Sequence, residues 1–179
     1  MAVYFITLHA YRSWRPDHKR GYTRRGKGVL PPDPQTAANY DAAAHQEPVE
    51  FTKEMQQVMV AGAFDVCARR GWRLHGAGFE LTHGHFLVSW RGFISWLDVR
   101  AKLKNLLSLF LGRLTGKQNQ NWFVDGGSRK WVKTRGHFNF LMKTYLPKHH
   151  GEKWYEGDPL PVIPEHILNP PRNDGRDTK

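Results

Sequence analysis

One long amphipathic segment in the middle of the chain most limits the possible folds. From Val99 to Leu114, apolar residues recur at the three- and four-residue spacing of a helix face. Ser95 and Asp98 resemble a capping box, with aspartate in place of the usual glutamate, so we expect the helix to begin there. A helix with a single apolar face has to cover an apolar surface formed by other segments.

Extended segments are predicted on both sides of this helix. Residues 3–11 are rich in β-branched and aromatic side chains and predict a first strand. Residues 72–80 and 83–91 form two extended runs joined by a very short link, which predicts an antiparallel pair. In the second run, side-chain alternation places one set of residues on one face (Phe86, Val88, Trp90) and another set on the other (His83, His85, Leu87).

Three further elements complete the predicted order. A helix is expected from an N-cap at Thr52 to Gly71, because the apolar residues between them lie on one helix face. A short fourth strand is expected over 131–134, and a third helix over 137–145. The order β, α, β, β, α, β, α predicts an α+β fold of ferredoxin-like type. It has an antiparallel sheet with helices on one face, and an extra C-terminal helix that carries Tyr145.

The length of 179 residues suits one domain with tails. We expect that domain to cover residues 1–155, with an irregular, basic and proline-rich insertion over 12–50. Residues 156–179 are rich in proline and end in charged residues, which predicts a flexible tail.

The chain is strongly basic. Its 27 Lys and Arg exceed its 16 Asp and Glu, giving a formal net charge of +11, which favours a polyanionic partner such as nucleic acid. Aromatic and basic residues are interleaved over 11–15 and 19–25, a composition that suits single-stranded more than duplex nucleic acid. The alternative for this stretch is a solvated basic loop whose aromatic residues cover the edge of the core.

Cellular location follows from what the sequence lacks. Cys67 is the only cysteine, so a disulfide framework and a thiolate zinc cluster are excluded, and a reducing cytoplasm fits best. The first nine residues do not resemble a signal peptide, and no apolar run approaches the length of a membrane span, so secretion and membrane insertion are not expected.

Four residues indicate the chemistry. His83 and His85 project from one face of a strand about 7 Å apart, close enough to share a cation. Tyr145 and His149 have the i, i+4 spacing of one helix face and can complete the same site. Three imidazoles and a phenol in one place predict a metal-assisted tyrosine nucleophile.

These residues carry a resemblance to a known family. His83-Gly84-His85 followed by Phe86-Leu87-Val88 resembles the histidine pair of the HUH single-strand endonucleases, and Tyr145 with His149 resembles their single catalytic tyrosine and third metal ligand. The segments 6–14 and 127–132 are similar to REP-associated tyrosine transposases, and the resemblance covers most of residues 3–155.

The resemblance implies both a function and a set of roles. It implies a transposase that cuts and joins single-stranded DNA at hairpin or repeat ends through a 5′-phosphotyrosine on Tyr145. It implies Mg²⁺ or Mn²⁺ on His83, His85 and His149, although three neutral imidazoles also accept Zn²⁺ or Ni²⁺. A monomer or homodimer associated with the nucleoid is expected.

The sequence departs from the family pattern at two positions. Gly84 stands where family members usually carry a bulky residue. Pro147 predicts that the helix kinks or ends near Thr144 and displaces His149.

Further residues are candidates for secondary roles. Nine are expected to contact DNA: Arg12, Trp14, Arg15, Arg20, Arg24, Arg25, Ser128, Arg129 and Lys130. Tyr155 is a reserve nucleophile, while surface or capping roles are expected for His137 and His150. The cations Lys102, Lys104, Arg113 and Lys117 are interpreted as the solvated helix face. The rival function is a non-catalytic nucleic-acid-binding module, domesticated or decayed, on the same fold.

Overall fold

The computed structural model describes residues 1–24 and 26–169. Seven strands are present in this part of the chain: β1 (Ala2–His9), β2 (Tyr22–Arg24), β3 (Gly28–Leu30), β4 (Arg73–Glu80), β5 (His83–Trp90), β6 (Ser128–Trp131) and β7 (Lys153–Tyr155). The α-helices are α1 (Pro34–Ala42), α2 (Lys53–Arg69), α3 (Trp96–Thr115), α4 (Arg135–Phe140) and α5 (Glu165–Leu168).

The central sheet confirms the predicted fold class. Five strands pair in the order β6-β1-β5-β4-β7, and every pair is antiparallel. Strand β1, helix α2, strands β4 and β5, helix α3 and strand β6 follow one another as β, α, β, β, α, β, which is the ferredoxin-like order. Strand β7 extends the sheet beside β4.

The two long helices cover one face of the sheet, as predicted. The Thr52 side chain accepts a hydrogen bond from the Met55 amide at the start of α2. At the start of α3 the Ser95 side chain accepts from the Asp98 amide and donates to the Asp98 carboxylate. Side chains of both helices pack with alternate residues of the central strands in the largest core. The predicted caps therefore fix where both helices start.

The opposite face carries a smaller core. Phe5 of β1 and Leu87 of β5 pack there against Leu141 and Leu146, which follow α4 in the chain. Because successive strand residues alternate between faces, the neighbours Ile6 and Phe86 belong to the core beneath the long helices. The segment that carries Tyr145 thus packs on the sheet face that holds the histidines.

Two predictions of local structure need correction. The insertion over 12–50 contains the β2–β3 hairpin and helix α1, whose N-cap Asp33 accepts from the Thr36 amide. Helix α1 buries only Ala37, so it gives no apolar pattern to detect. The fourth strand begins at Ser128, three residues before the prediction. All four of its side chains are exposed, so no alternation of buried and exposed residues marks its bounds in the sequence.

Part of the segment predicted as a flexible tail is ordered against the core. Ile167 of α5 is buried in a cluster with Val58 and Phe110. Arg113 donates hydrogen bonds to the carbonyls of Ile167 and Leu168 at 3.0 and 3.2 Å. Among the described residues, no helix combines the length and apolarity needed to cross a membrane.

Candidate active site

The candidate site lies at the N-terminal end of β5. His83 pairs with His9 across the ladder to β1, and His85 pairs with Thr7. His149 follows a short turn after Tyr145 and lies against β4. Ligand atoms of His83, His85 and His149 all lie within 4.8 Å of one another, so the three predicted histidines form one cluster that can bind a metal ion.

His85 provides the clearest test of whether the cluster suits a metal. Its side chain is only 4% exposed, and its Nδ1 lies 2.8 Å from the Thr7 hydroxyl oxygen. Its Nε2 is buried without a hydrogen-bond partner in the described part of the chain. Buried polar atoms are rarely left unpaired, and a metal ligand needs such a free lone pair. The donor set therefore fits a divalent cation.

The other two imidazoles are held in the same way. His149 Nδ1 donates to the Leu146 carbonyl at 3.1 Å, which leaves Nε2 as the nitrogen with a lone pair. His83 Nδ1 lies 3.1 Å from the Thr82 hydroxyl. Lys153 Nζ donates to the His149 carbonyl at 2.6 Å and fixes the backbone there. Each ring thus has a protein partner on Nδ1, an arrangement that orients Nε2 towards a shared ligand.

Electrostatics keep the cluster in the form that binds cations. Burial lowers the pKa of His83 to about 4 and that of His85 to about 2, with smaller contributions from the neighbouring histidines. Burial also lowers the pKa of His9. At neutral pH His83 and His85 are uncharged, so protons do not compete with a metal for their lone pairs.

Tyr145 stands beside the cluster. The centroid of its ring lies 5.5 Å from that of His85 and 5.2 Å from that of His149. Phe5 contacts the phenol edge to face at 5.5 Å and supports it from the sheet. The structure brings together all four residues that the sequence singled out.

The helix around Pro147 changes its winding twice. Regular α-helix ends at Phe140, a π-helical turn covers Leu141–Tyr145, and a 3₁₀ turn covers Leu146–Lys148. The Leu146 amide donates to the Leu141 carbonyl five residues earlier. Proline lacks an amide hydrogen, so it is tolerated in the first positions of the 3₁₀ turn. The α-helix thus ends before the predicted position near Thr144, π and 3₁₀ turns continue to Lys148, and His149 is not displaced from the cluster.

Gly84 is explained by the core on the other side of the strand. A Cβ atom at this position would lie 2.6 Å from the Phe79 ring, closer than Cβ atoms approach other heavy atoms in proteins. Phe79 is fully buried and packs edge to face with Phe86. The glycine therefore makes room for a large core side chain between the two histidines.

An open cleft of about 560 Å³ adjoins the histidine cluster and Tyr145. Three of the residues predicted to contact DNA line it: Trp14, Ser128 and Lys130. Trp14 stacks on His18, with ring centroids 6.1 Å apart, and is half exposed. The cleft therefore combines an exposed aromatic surface with a cation, as a site for unpaired nucleic acid requires.

Other residues predicted to contact DNA lie elsewhere. Strand alternation turns Arg129 to the helical face, where its guanidinium lies 4.2 Å from the Trp96 ring. Arg12 and Arg15 both pair with Asp41. Arg20 and Arg24 are exposed outside the lining of the cleft, and Arg25 lies outside the described residues.

The secondary candidates also have definite positions. The backbone amides of His137 and His150 are bonded to Thr134 and Glu80, and neither side chain joins the cluster. Burial and Asp158 raise the pKa of Tyr155, which does not line the cleft. Lys104 differs from the solvated role expected of it, because it donates to the Val124 carbonyl at 2.8 Å.

Sequence reasoning missed two residues at the site. Thr7 holds His85, and His9 faces His83 at 5.5 Å between ring centroids. Both lie on β1, at the odd-numbered positions that share a face with Phe5. That alternation was the available signal, but only the register between β1 and β5 shows which histidine each residue meets.

Comparison with known proteins gives a distant structural similarity. No protein-family model matches the chain, and no curated protein sequence matches it. The structure is similar to that of a REP-associated tyrosine transposase bound to a REP hairpin, with a TM-score of 0.43 and 9% sequence identity. The match covers 77% of this chain and 60% of that chain. Similarity at that level does not establish a shared activity.

Proposed function

We propose that this chain is a single-tyrosine HUH enzyme of the transposase type, which cuts and joins single-stranded DNA at hairpin or repeat ends. The observation that carries the proposal is the convergence of three histidines and Tyr145 on one sheet face. The family resemblance of the same residues supports it. The proposal takes 1–155 as the catalytic domain and the cytoplasm, on chromosomal DNA, as the place of action.

Each residue then has a defined role. The imidazoles of His83, His85 and His149 would hold Mg²⁺ or Mn²⁺, and Thr7 would orient His85 through Nδ1. When bound, the cation neutralises charge on the scissile phosphate. Lys130 would contact the backbone of the strand, while Trp14 would stack on a base.

The reaction uses the phenol as the nucleophile. The Tyr145 oxygen attacks the phosphorus, and the bond between the phosphorus and the 3′ oxygen breaks. The phenol loses its proton, and the leaving 3′ oxygen takes up a proton to become a 3′ hydroxyl. Tyr145 is then joined to the 5′ phosphate. A 3′ hydroxyl attacks this phosphotyrosine in the reverse step and restores the phenol, so joining needs no ATP.

The decisive experiment looks for the covalent intermediate. Labelled single-stranded hairpin oligonucleotides are incubated with the protein in Mn²⁺ or EDTA and separated on a denaturing gel. We expect a Mn²⁺-dependent protein–DNA adduct that is lost in Tyr145→Phe, a decrease of at least about 1000-fold. Tyr155→Phe is the matched control and should form the adduct normally.

The rival function gives a different result. A non-catalytic binding module would retain salt-sensitive binding of the same oligonucleotides in EDTA and form no adduct in any metal. The protein must be correctly folded, and the pool must include the repeats that flank the gene. Under those conditions this outcome would replace the enzymatic proposal by the binding one.

A further inference from the structure

A second cavity, of about 600 Å³, opens next to the catalytic cleft. One wall comes from the insertion, through Trp14, Tyr40 and Asp41, and the other from α3 and the loop after it, through Asn105 and Gln120. Trp14 lines both this cavity and the cleft beside the histidines, so the two spaces share one wall. A strand that leaves the catalytic cleft would therefore pass Trp14 to reach this cavity.

The charges around the cavity are already paired. Asp41 binds Arg12 and Arg15, and Arg15 lies 2.9 Å from one of its oxygens. Lys104 lies 3.5 Å from Asp125 and donates to a backbone carbonyl. A phosphate would have to break these pairs to gain a cation. The interior is therefore a poor site for a DNA backbone despite the overall charge of the protein.

The remaining groups suit a nucleobase. Tyr40 and Trp14 are 60% and 50% exposed, so both rings are accessible for stacking on a base. Asn105, Gln120 and Asn121 bring side-chain amides, which can both donate to and accept from a base edge. The volume is within the range of about 300–1000 Å³ that is typical of small-ligand sites.

The insertion is built to hold this wall in place. Gln46 donates to the Asn119 carbonyl at 3.3 Å and accepts from the Asn121 amide at 2.9 Å. Arg12 has a φ of 59°, the one positive value at a non-glycine residue in the described part of the chain. Its guanidinium donates to the Gln46 carbonyl at 3.0 Å as well as to Asp41. Such strained, over-determined residues are concentrated at binding sites.

We propose that this cavity receives an unpaired base of the DNA strand that runs through the catalytic cleft, stacked on Tyr40, while its phosphates stay outside. This inference rests on the proposed function, because it takes the strand in the cleft to be single-stranded DNA. The insertion would then add a base-binding site to the catalytic fold.

Tyr40 separates this proposal from the function of the cleft, because Tyr40 lines the cavity and does not line the cleft. Binding is measured in EDTA on a Tyr145→Phe background, so that no chemistry is needed. The probes are fluorescein-labelled dT20, dA20, dC20 and (dGdT)10. We expect Tyr40→Ala to weaken the tightest of these about tenfold and Tyr40→Phe to restore binding, since stacking needs only the ring.

Two further variants control the experiment. Ala43→Trp fills the cavity from the insertion side and should weaken binding as much as Tyr40→Ala does. Phe93→Ala removes a fully exposed ring that lines neither space and should bind normally. Cross-linking of the bound dT20 by ultraviolet light should attach it to Tyr40 or Trp14.

The outcomes separate the two proposals. Unchanged affinity in both Tyr40→Ala and Ala43→Trp, with cross-links confined to other segments, overturns the cavity proposal even when the Tyr145 adduct forms. Loss of binding in both variants supports the cavity proposal even when the adduct assay fails. A change only in the salt dependence of binding would mean that the cavity holds the backbone, and would also overturn it.

Discussion

Two buried histidines on neighbouring strands of this sheet have opposite surroundings. His75 on β4 lies 3.0 Å from Glu156 through Nδ1 and 2.8 Å from Ser89 through Nε2, so both nitrogens have partners. His85 on β5 has Thr7 on Nδ1 and no partner on Nε2 within the described residues. Burial alone therefore does not identify a ligand. A ring nitrogen without a hydrogen-bond partner does identify one, and it distinguishes His85 from the structural His75.

The largest effect should come from His85→Ala. Removing this imidazole takes away the buried lone pair, and we expect the affinity for Zn²⁺ or Mn²⁺ to fall by more than about 100-fold, because losing only a hydrogen-bond partner of a ligand costs about 10–100-fold. Calorimetric titration measures the affinity, and His75→Ala is the matched control. Equal losses in the two variants would contradict the distinction between the two histidines.

Thr7→Val should produce the next largest effect. Valine keeps the shape of threonine but removes the oxygen that lies 2.8 Å from His85 Nδ1. We expect metal affinity to fall about 10–100-fold, because the ring is no longer fixed in orientation. Thr7→Ser keeps the hydroxyl and should bind metal nearly as the parent does. If serine and valine behave alike, Thr7 has no part in orienting the ligand.

His75→Ala should act on stability instead. It leaves the buried Ser89 hydroxyl without its partner and removes one of the two partners of Glu156, at a cost of about 1–3 kcal/mol in the free energy of unfolding. Urea denaturation in EDTA measures this, and metal affinity should remain within about twofold of the parent. A strong loss of metal binding without destabilisation would reverse the roles assigned to His75 and His85.

Stability should also depend on pH. The folded pKa of His83, about 4, and that of His85, about 2, lie below the ordinary value of 6.5. As the pH decreases from about 6.5 towards 4, these histidines become protonated in the unfolded chain but stay neutral in the folded chain. Stability in EDTA should therefore fall over this range. The double variant His83→Asn, His85→Asn should show a shallower slope. An unchanged slope would mean that other groups govern the acid limb.

The sequence predicts the parts of this molecule that depend on local signals. Ser95 and Thr52 cap their helices as expected, and alternation along β5 puts both histidines on the face opposite Phe86. The partners of those histidines depend on the register between distant strands. Thr7 meets His85 from a position 78 residues away, and no local pattern encodes that contact.

The contacts of the insertion also depend on residues that are far apart in the sequence. Its basic and aromatic residues predicted contact with DNA in general. The guanidinium of Arg12, however, is paired with the carboxylate of Asp41, which lies 29 residues away in the sequence. Because Asp41 also pairs with Arg15, two of the predicted DNA contacts are committed to holding the insertion together. Trp14 stays available to contact DNA, because half of its surface is exposed in the described chain.

The π-helical turn over Leu141–Tyr145 has a mechanical consequence. In an α-helix each residue advances the chain by about 100° around the axis. Shifting the hydrogen-bond register of this turn by one residue would therefore rotate the phenol about a quarter of the way round, away from His85 and His149. The π-helical winding over Leu141–Tyr145 therefore sets the direction in which the phenol of Tyr145 points.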